Sequence, residues 1–192
     1  MGNFGSPFFI LLNNTMANTL SCPIPDNINP LSPNGFTFSI QKLPSVNYFC
    51  QQVNLPGIMI GEPSLANPFV SQPIPGEHLT YDPLVVQFLV DEQMMNYQSI
   101  YNWIVALGFP NNYEQYTNFI NADQRGIIGE LAKNYSDATL SILGSDNNPV
   151  QTVQFIDLFP TSLDSITFLS TSNDVQYLVG NATFRYGYYK FI

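Results

Sequence analysis

From Phe36 the chain alternates cleanly, with Phe36, Phe38 and Ile40 on one side and Thr37, Ser39 and Gln41 on the other. A two-residue period predicts a half-buried strand. Val46 to Leu55 is expected to be its antiparallel partner, turned by Pro44-Ser45, ended by Pro56-Gly57 and followed by a short apolar run, Ile58 to Ile60. The stretch LTYDPLVVQFLVDE from Leu79 predicts another strand; Leu84 to Val90 is apolar on both faces, so it is expected to be covered on both sides. A helix follows at once over MMNYQSIYNWIVAL, with Tyr97, Ile100, Tyr101, Ile104 and Gly108 on one stripe. Asp91 is placed to cap that helix, Glu92 suits its positive end, and Gly108 with Pro110 stops it.

Strand signals return at Ala138–Leu143, turn at Gly144 to Pro149, and resume from Val150 to Ile156. Phe159-Pro160-Thr161 is expected to break that run, Ser165–Ser170 to be a short strand, and Val175 to Phe191 to be the last and longest one. On it Leu178, Ala182, Phe184, Tyr186 and Tyr188 share a face, opposite Asn181, Thr183 and Arg185. The stretch 111–135 is ambiguous between short helices and loop. The pattern as a whole is mainly antiparallel β with one substantial helix.

Two segments stand outside this regularity. Residues 1–33 are proline-rich and aperiodic, and predict an extended arm before a single domain, 34–192. Between Gly57 and His78, Pro63, Pro68, Pro73 and Pro75 interrupt Leu65, Phe69, Val70 and Ile74, and Pro75-Gly76 closes the stretch. A loop of this length is functional or disordered as a rule. Its apolar side chains need a cover, from the protein's own core or from a partner.

Composition narrows the function. With 192 residues, 45% apolar and 14% aromatic, the chain can bury a real core. Five Lys and Arg against fourteen Asp and Glu give a net charge of −9, and the five (Lys42, Arg125, Lys133, Arg185, Lys190) are scattered. That leaves no track for a polyanion. Sparse charge among many Asn, Gln, Ser and Thr residues suits surfaces that end against protein, where Lys and Glu are depleted. Cys22 and Cys50 are the only cysteines; a disulfide between them is geometrically open, and a buried free thiol at Cys50 is the simpler expectation.

Pro7 to Leu12 is too short to span a bilayer and lacks the basic start of a signal peptide. It is either an arm or a misread extension upstream of Met16. The Met1-Gly2…Ser6 match to an acylation signal and the N-x-[ST] triplets at Asn13, Asn134 and Asn181 are chance-level matches in a chain of this composition.

No catalytic, cofactor-binding or metal-ligating constellation emerges. His78, the one histidine, stands beside Glu77 without a nucleophile or an orienting acid. Asp91 and Glu92 are adjacent, and adjacent residues do not share a helix face. Gly126-Ile127-Ile128-Gly129 lacks the Lys-Ser/Thr of a phosphate loop. Trp103 is expected in a core or interface.

The order Leu55-Pro56-Gly57, Pro75-Gly76, Leu79-Thr80-Tyr81-Asp82 with an apolar strand, then Asp91-Glu92, resembles the tail tube proteins of contractile-tailed bacteriophages. The helix with Ile100 and Trp103, the run Phe155 to Thr161, and the ending from Val175-Gln176 through Phe184 and Tyr186 extend the resemblance over residues 34–192. It implies a small antiparallel β-barrel or sandwich with a flanking helix. It further implies a structural virion protein, assembled in the host cytoplasm, whose hexameric rings stack into a tube.

On that resemblance DNA passes through the lumen without specific binding, and the partners are copies of the chain with tail sheath, baseplate or terminator proteins. Gly57, Leu65, Phe69, Val70, Ile74, Pro75 and Gly76 would form the inter-ring loop. Thr37, Ser39, Gln41, Asn181 and Thr183 would face the lumen. The long proline-rich start and an enlarged 109–135 depart from a plain subunit and open a second possibility, a specialised initiator or terminator ring. From the residues alone, a carbohydrate- or host-surface-binding β-sandwich is the competing function, permitted by eleven Tyr and fifteen Phe.

Overall fold

A computed structural model describes residues 28–108, 112–122, 134–170 and 177–192. The chain divides into two compact units, Met1–Leu31 and Ser32–Ile192. Of the first, only residues 28–31 are described, and they hold no regular element. Most of the expected arm lies outside the described residues, as do Cys22, Pro110, the Gly126–Gly129 stretch and the expected strand start at Val175-Gln176.

The second unit is mainly antiparallel β-sheet. Seven strands follow the order β1 (Phe36–Ile40), β8 (Ser136–Leu143), β9 (Pro149–Leu163), β10 (Val179–Arg185), β7 (Leu84–Leu89), β2 (Cys50–Val53), with β11 (Tyr188–Phe191) beside β9. β9 serves both halves of this path. Its first part pairs with β8 and β11, and its last part with β10. Inward residues of the two halves meet in one core. Phe38, Ile40, Leu140, Val153 and Phe155 come from one half, and Leu84, Val86, Phe88, Ala182 and Phe184 from the other. Gly180 is buried opposite Phe88, and a Cβ there would stand 2.8 Å from that ring, so the close strand contact requires glycine.

Three helices, not one, accompany the sheet among the described residues: α1 (Pro44–Phe49), α2 (Met95–Gly108) and α3 (Glu114–Ala122). The expected β1 partner over Val46 to Leu55 is therefore corrected. Pro44 occupies a first helical position, where its fixed φ and missing N–H favour a helix start. Asn47 then reaches back along β1: its Oδ1 accepts from the Ile40 N–H at 2.7 Å, and its Nδ2 donates to the Ile40 carbonyl at 3.3 Å. β2 begins only at Cys50 and pairs with β7, while β1 pairs with β8.

Other expectations shift for equally local reasons. The strand from Leu79 splits at Asp82-Pro83 into β6 (Leu79–Tyr81) and β7. Only one face of β7 is buried, since Val85 is exposed and Gln87 and Leu89 are half-buried. Pro160 does not end β9; the strand continues to Leu163, with a register shift opposite Pro160 and a left-handed residue, Asp157 (φ 57°), just before. Ser165–Ser170 is not a strand. The final strand is two, because the chain breaks after β10 at Tyr186-Gly187 and resumes as β11 along the same edge of β9, opposite β8; Tyr188 is exposed and leaves the expected face.

Helix α2 occupies the expected span, but rotated. Asn96, Ile100, Trp103 and Ala106 are buried and Tyr101 is exposed. Trp103 is a core residue, 1% exposed, packed near Phe184 and under the Lys42 ammonium, 5.3 Å from its ring. Asp91 does not cap the helix. Its carbonyl accepts from the Met94 N–H in a turn that places Met94 at φ 55°. Asn96 fastens the helix start instead, donating to the Leu89 carbonyl at 2.6 Å and accepting from the N–H groups of Tyr97 at 2.8 Å and Asp91 at 3.4 Å. Asn96→Ala should strand these buried partners and cost about 2–3 kcal/mol. The check is the urea midpoint at unchanged slope; a loss below about 0.5 kcal/mol, the lower end for one bond, would contradict this role.

Candidate assembly surface

The segment between β2 and β7 is a projecting ribbon. β3 (Ile58–Ile60) pairs with β6, and β4 (Ser64–Leu65) with β5 (Gln72–Pro73). Between the two ladders, Gly61 N–H donates to the His78 carbonyl, Gly76 N–H to the Gly61 carbonyl, and Ile74 N–H to the Pro63 carbonyl. A Cβ on Gly76 would lie 2.5 Å from the Gly61 oxygen, so glycine is required where the strands cross closely. Prolines at 63, 68, 73 and 75 interrupt the donors of its free edges, which discourages open-ended strand pairing.

Among the described residues, nearly all of this ribbon is uncovered. Ile58, Met59, Ile60, Leu65, Val70, Ile74 and Leu79 are exposed, and Phe69 at the tip is 92% exposed. Successive strand residues point to opposite faces, so the ribbon is apolar on both. The predicted loop residues thus share one projecting element. Gly57 sits at its root, where its carbonyl accepts from the Asp82 N–H at 3.0 Å and its open side faces the Asp82 carboxylate. Pro75 and Gly76 lie midway, and Phe69 and Val70 lie at the tip.

The five residues expected to face the lumen lie on two polar faces. Thr37 and Ser39 point outward from β1, in register with Ser141 and Thr139 of β8, and Gln41 follows them, exposed. Asn181 and Thr183 point outward from β10, in the other half of the sheet. There Asn181 lies opposite Gln87, and Gln87 opposite Gln52, forming an amide row across β10, β7 and β2. With Asn54, Val85 and Asp164 the row lines a shallow depression of about 210 Å³. Since the inward faces of the two halves meet in one core, the two polar faces look in different directions. Strand alternation identifies the outward residues but carries no information on which half they belong to.

An aromatic cluster missed by the sequence reading closes the ribbon's root. Tyr81, Tyr186, Tyr189 and Phe155 pack with ring centroids 5.2–6.2 Å apart. Tyr186 donates to the Asp82 carbonyl at 2.9 Å, Tyr189 to the Pro56 carbonyl at 3.4 Å, and Arg185 to the Tyr81 carbonyl at 3.2 Å. Burial, with Tyr189, Tyr81 and Asp82 adding to it, pushes the Tyr186 phenol up to about 12. Burial likewise raises the Cys50 thiol to about 11, which leaves it an unreactive thiol. Among the described residues no group of three or more His, Cys, Asp or Glu side chains could hold a metal ion, and His78 lies exposed on the ribbon.

Residues 19–192 match the family described as phage tail tube protein. The chain belongs to that family. The tail tube terminator protein of Enterobacteria phage T4 is similar to it, 29% identical over 171 residues that span 84% of this chain and 89% of that protein. Among solved structures, the tube-terminating cap of the anti-feeding prophage superposes with a TM-score of 0.54 at 15% identity, over 91% of this chain and 98% of that one. A chain of the anti-feeding prophage baseplate superposes with a TM-score of 0.53 at 14% identity, over 85% and 96%. At such identities the likeness is one of fold. Membership in a family of tail tube proteins fits a structural, non-enzymatic role.

The two raised pKa values give a pH signature. Cys50 and Tyr186 hold their protons more tightly folded than unfolded. The associated stability is present below their ordinary values of 9.0 and 10.0 and is lost as pH rises through about 11 and about 12. Urea midpoints should therefore fall on the alkaline side, and Tyr186→Phe should flatten the part of the fall above pH 10. Superimposable curves for the two proteins would contradict the burial of that phenol.

Proposed function

We propose that this chain is a ring-forming subunit of a contractile tail tube, most specifically the ring that terminates the tube. Six copies close a ring, and the ring docks on its neighbour through the projecting ribbon. The observation that carries this reading is the ribbon itself: a two-stranded arm, apolar on both faces, that no other described residues of the protomer cover. Family membership and the similarity to a tube terminator support the placement at the tube end.

In this reading the half-sheet of β2, β7, β10 and the end of β9 stands beside its copies as an inner barrel. The ribbon prolongs β2 and β7 along the tube axis, so the outward face of these strands becomes the lumen wall. Gln52, Gln87, Asn181 and Thr183 then line it. Their amides and hydroxyls bind water and carry no charge, so DNA passes without phosphates being gripped. Thr37, Ser39 and Gln41 fall on the other polar face, outside the lumen. The partners are copies of the chain, the adjoining tube ring, and sheath or neighbouring tail proteins in the virion. The main aromatic cluster packs on itself and on the ribbon root, which argues against a carbohydrate-binding platform.

Covering an exposed Leu, Val, Ile or Phe side chain contributes about 1.5–3 kcal/mol before the costs of association. Replacing residues 62–77 by a short Gly/Ser turn should leave a folded domain, since shortening a loop costs little entropy. Docking on tube ends should be lost, as seen by electron microscopy of tails complemented with the variant. Normally capped tails of wild-type length would refute the docking role.

A further inference from the structure

The ribbon leaves the core through two short passages only, Pro56-Gly57 and Tyr81-Asp82. An arm joined at two adjacent points pivots about its root, and a docking arm that pivots loses affinity to ordering cost. The end of the chain closes that pivot. Three side chains from Arg185 to Tyr189 each donate to a main-chain carbonyl of the root, on both of its strands: Tyr189 to Pro56, Arg185 to Tyr81 and Tyr186 to Asp82. The ring of Tyr81, carried by the ribbon, packs on Tyr186 and Tyr189, and both of these rest on Phe155, a fully buried core residue. A continuous path thus runs from the core to the base of the arm.

We propose that Arg185, Tyr186 and Tyr189 are positioning residues that fix the direction in which the ribbon projects, and through it the geometry of docking. The inference rests on the reading of the ribbon as the docking arm. The acceptors are root carbonyls and not core groups, so removing the hydroxyls loosens the arm while the rings stay packed. The bonds join residues more than a hundred positions apart. The end of the chain therefore controls a surface formed far earlier in it.

The test compares the wild-type chain, the double variant Tyr186→Phe/Tyr189→Phe and the single variant Arg185→Gln. Spin labels are placed at the tip (Asn67→Cys) and on the core sheet (Thr139→Cys), with Cys22 and Cys50 changed to Ser. Both variants should melt within about 2–4 °C of wild type, as for a small stability change in a chain of this size. Their tip-to-core distance distributions should broaden, and docking on tube ends should fall about tenfold for the double variant, the loss expected from two neutral hydrogen bonds. Unchanged distance distributions in both would overturn the proposal. Arg185→Gln alters an exposed side chain, so it decides the matter even if the double variant does not fold. A tip variant, Phe69→Ser/Val70→Ser, separates the two readings. Normal docking by that variant refutes the docking arm, whereas the distance distributions judge the clamp alone.

Discussion

The corner in β9 governs the rest of this molecule. One strand of fifteen residues belongs to both halves of the sheet, and it manages this by taking Asp157 through a left-handed conformation. Such a residue swings the strand without ending it. The chain's end repeats the manoeuvre beside it: β10 stops at Arg185, Gly187 N–H donates to the Ile156 carbonyl, and β11 continues along the first part of β9. Both halves can then share one core, and a single hydrophobic cluster holds residues from each.

That corner also brings together elements distant in sequence. Tyr186 and Tyr189 flank the break between β10 and β11, and the root of the ribbon lies against them. A ribbon with two uncovered apolar faces would be an aggregation hazard in an isolated protein. In the proposed ring it serves as the docking device, provided its direction is set. Projection, apolar faces and anchorage are separate features of the sequence, and they converge at one place only because β9 bends there.

The elements legible in the sequence are those whose signal is local. β1 and β8 carry an alternation or an apolar run of the right length, and α2 carries its own period and a glycine stop. What depended on distant partners was not legible. Residues 46–49 looked like strand, but Pro44 opens a helix and Asn47 closes off β1. Phe159-Pro160-Thr161 looked like a break, but a register shift accommodates the proline. Of the assembly surface, the apolar residues of 57–76 were visible as a group, while their pairing into ladders was hidden by prolines that mimic a plain loop. The clamp left no local trace, since Pro56, Tyr81 and Asp82 meet Arg185, Tyr186 and Tyr189 only in the fold. The division of the polar residues between two faces was equally invisible, because alternation records in and out but not which half-sheet.

The proposed ring turns one particular half-sheet inward. The most direct measurement is a cryo-electron microscopy reconstruction of the tail end that carries this chain, at a resolution that places side chains. The expected result is a six-fold ring with Gln52, Gln87 and Asn181 on the lumen wall and each ribbon seated against a neighbouring copy or ring. A lumen wall formed by Thr37 and Ser39 with the amide row outside, or ribbons left exposed in the assembled tail, would contradict it.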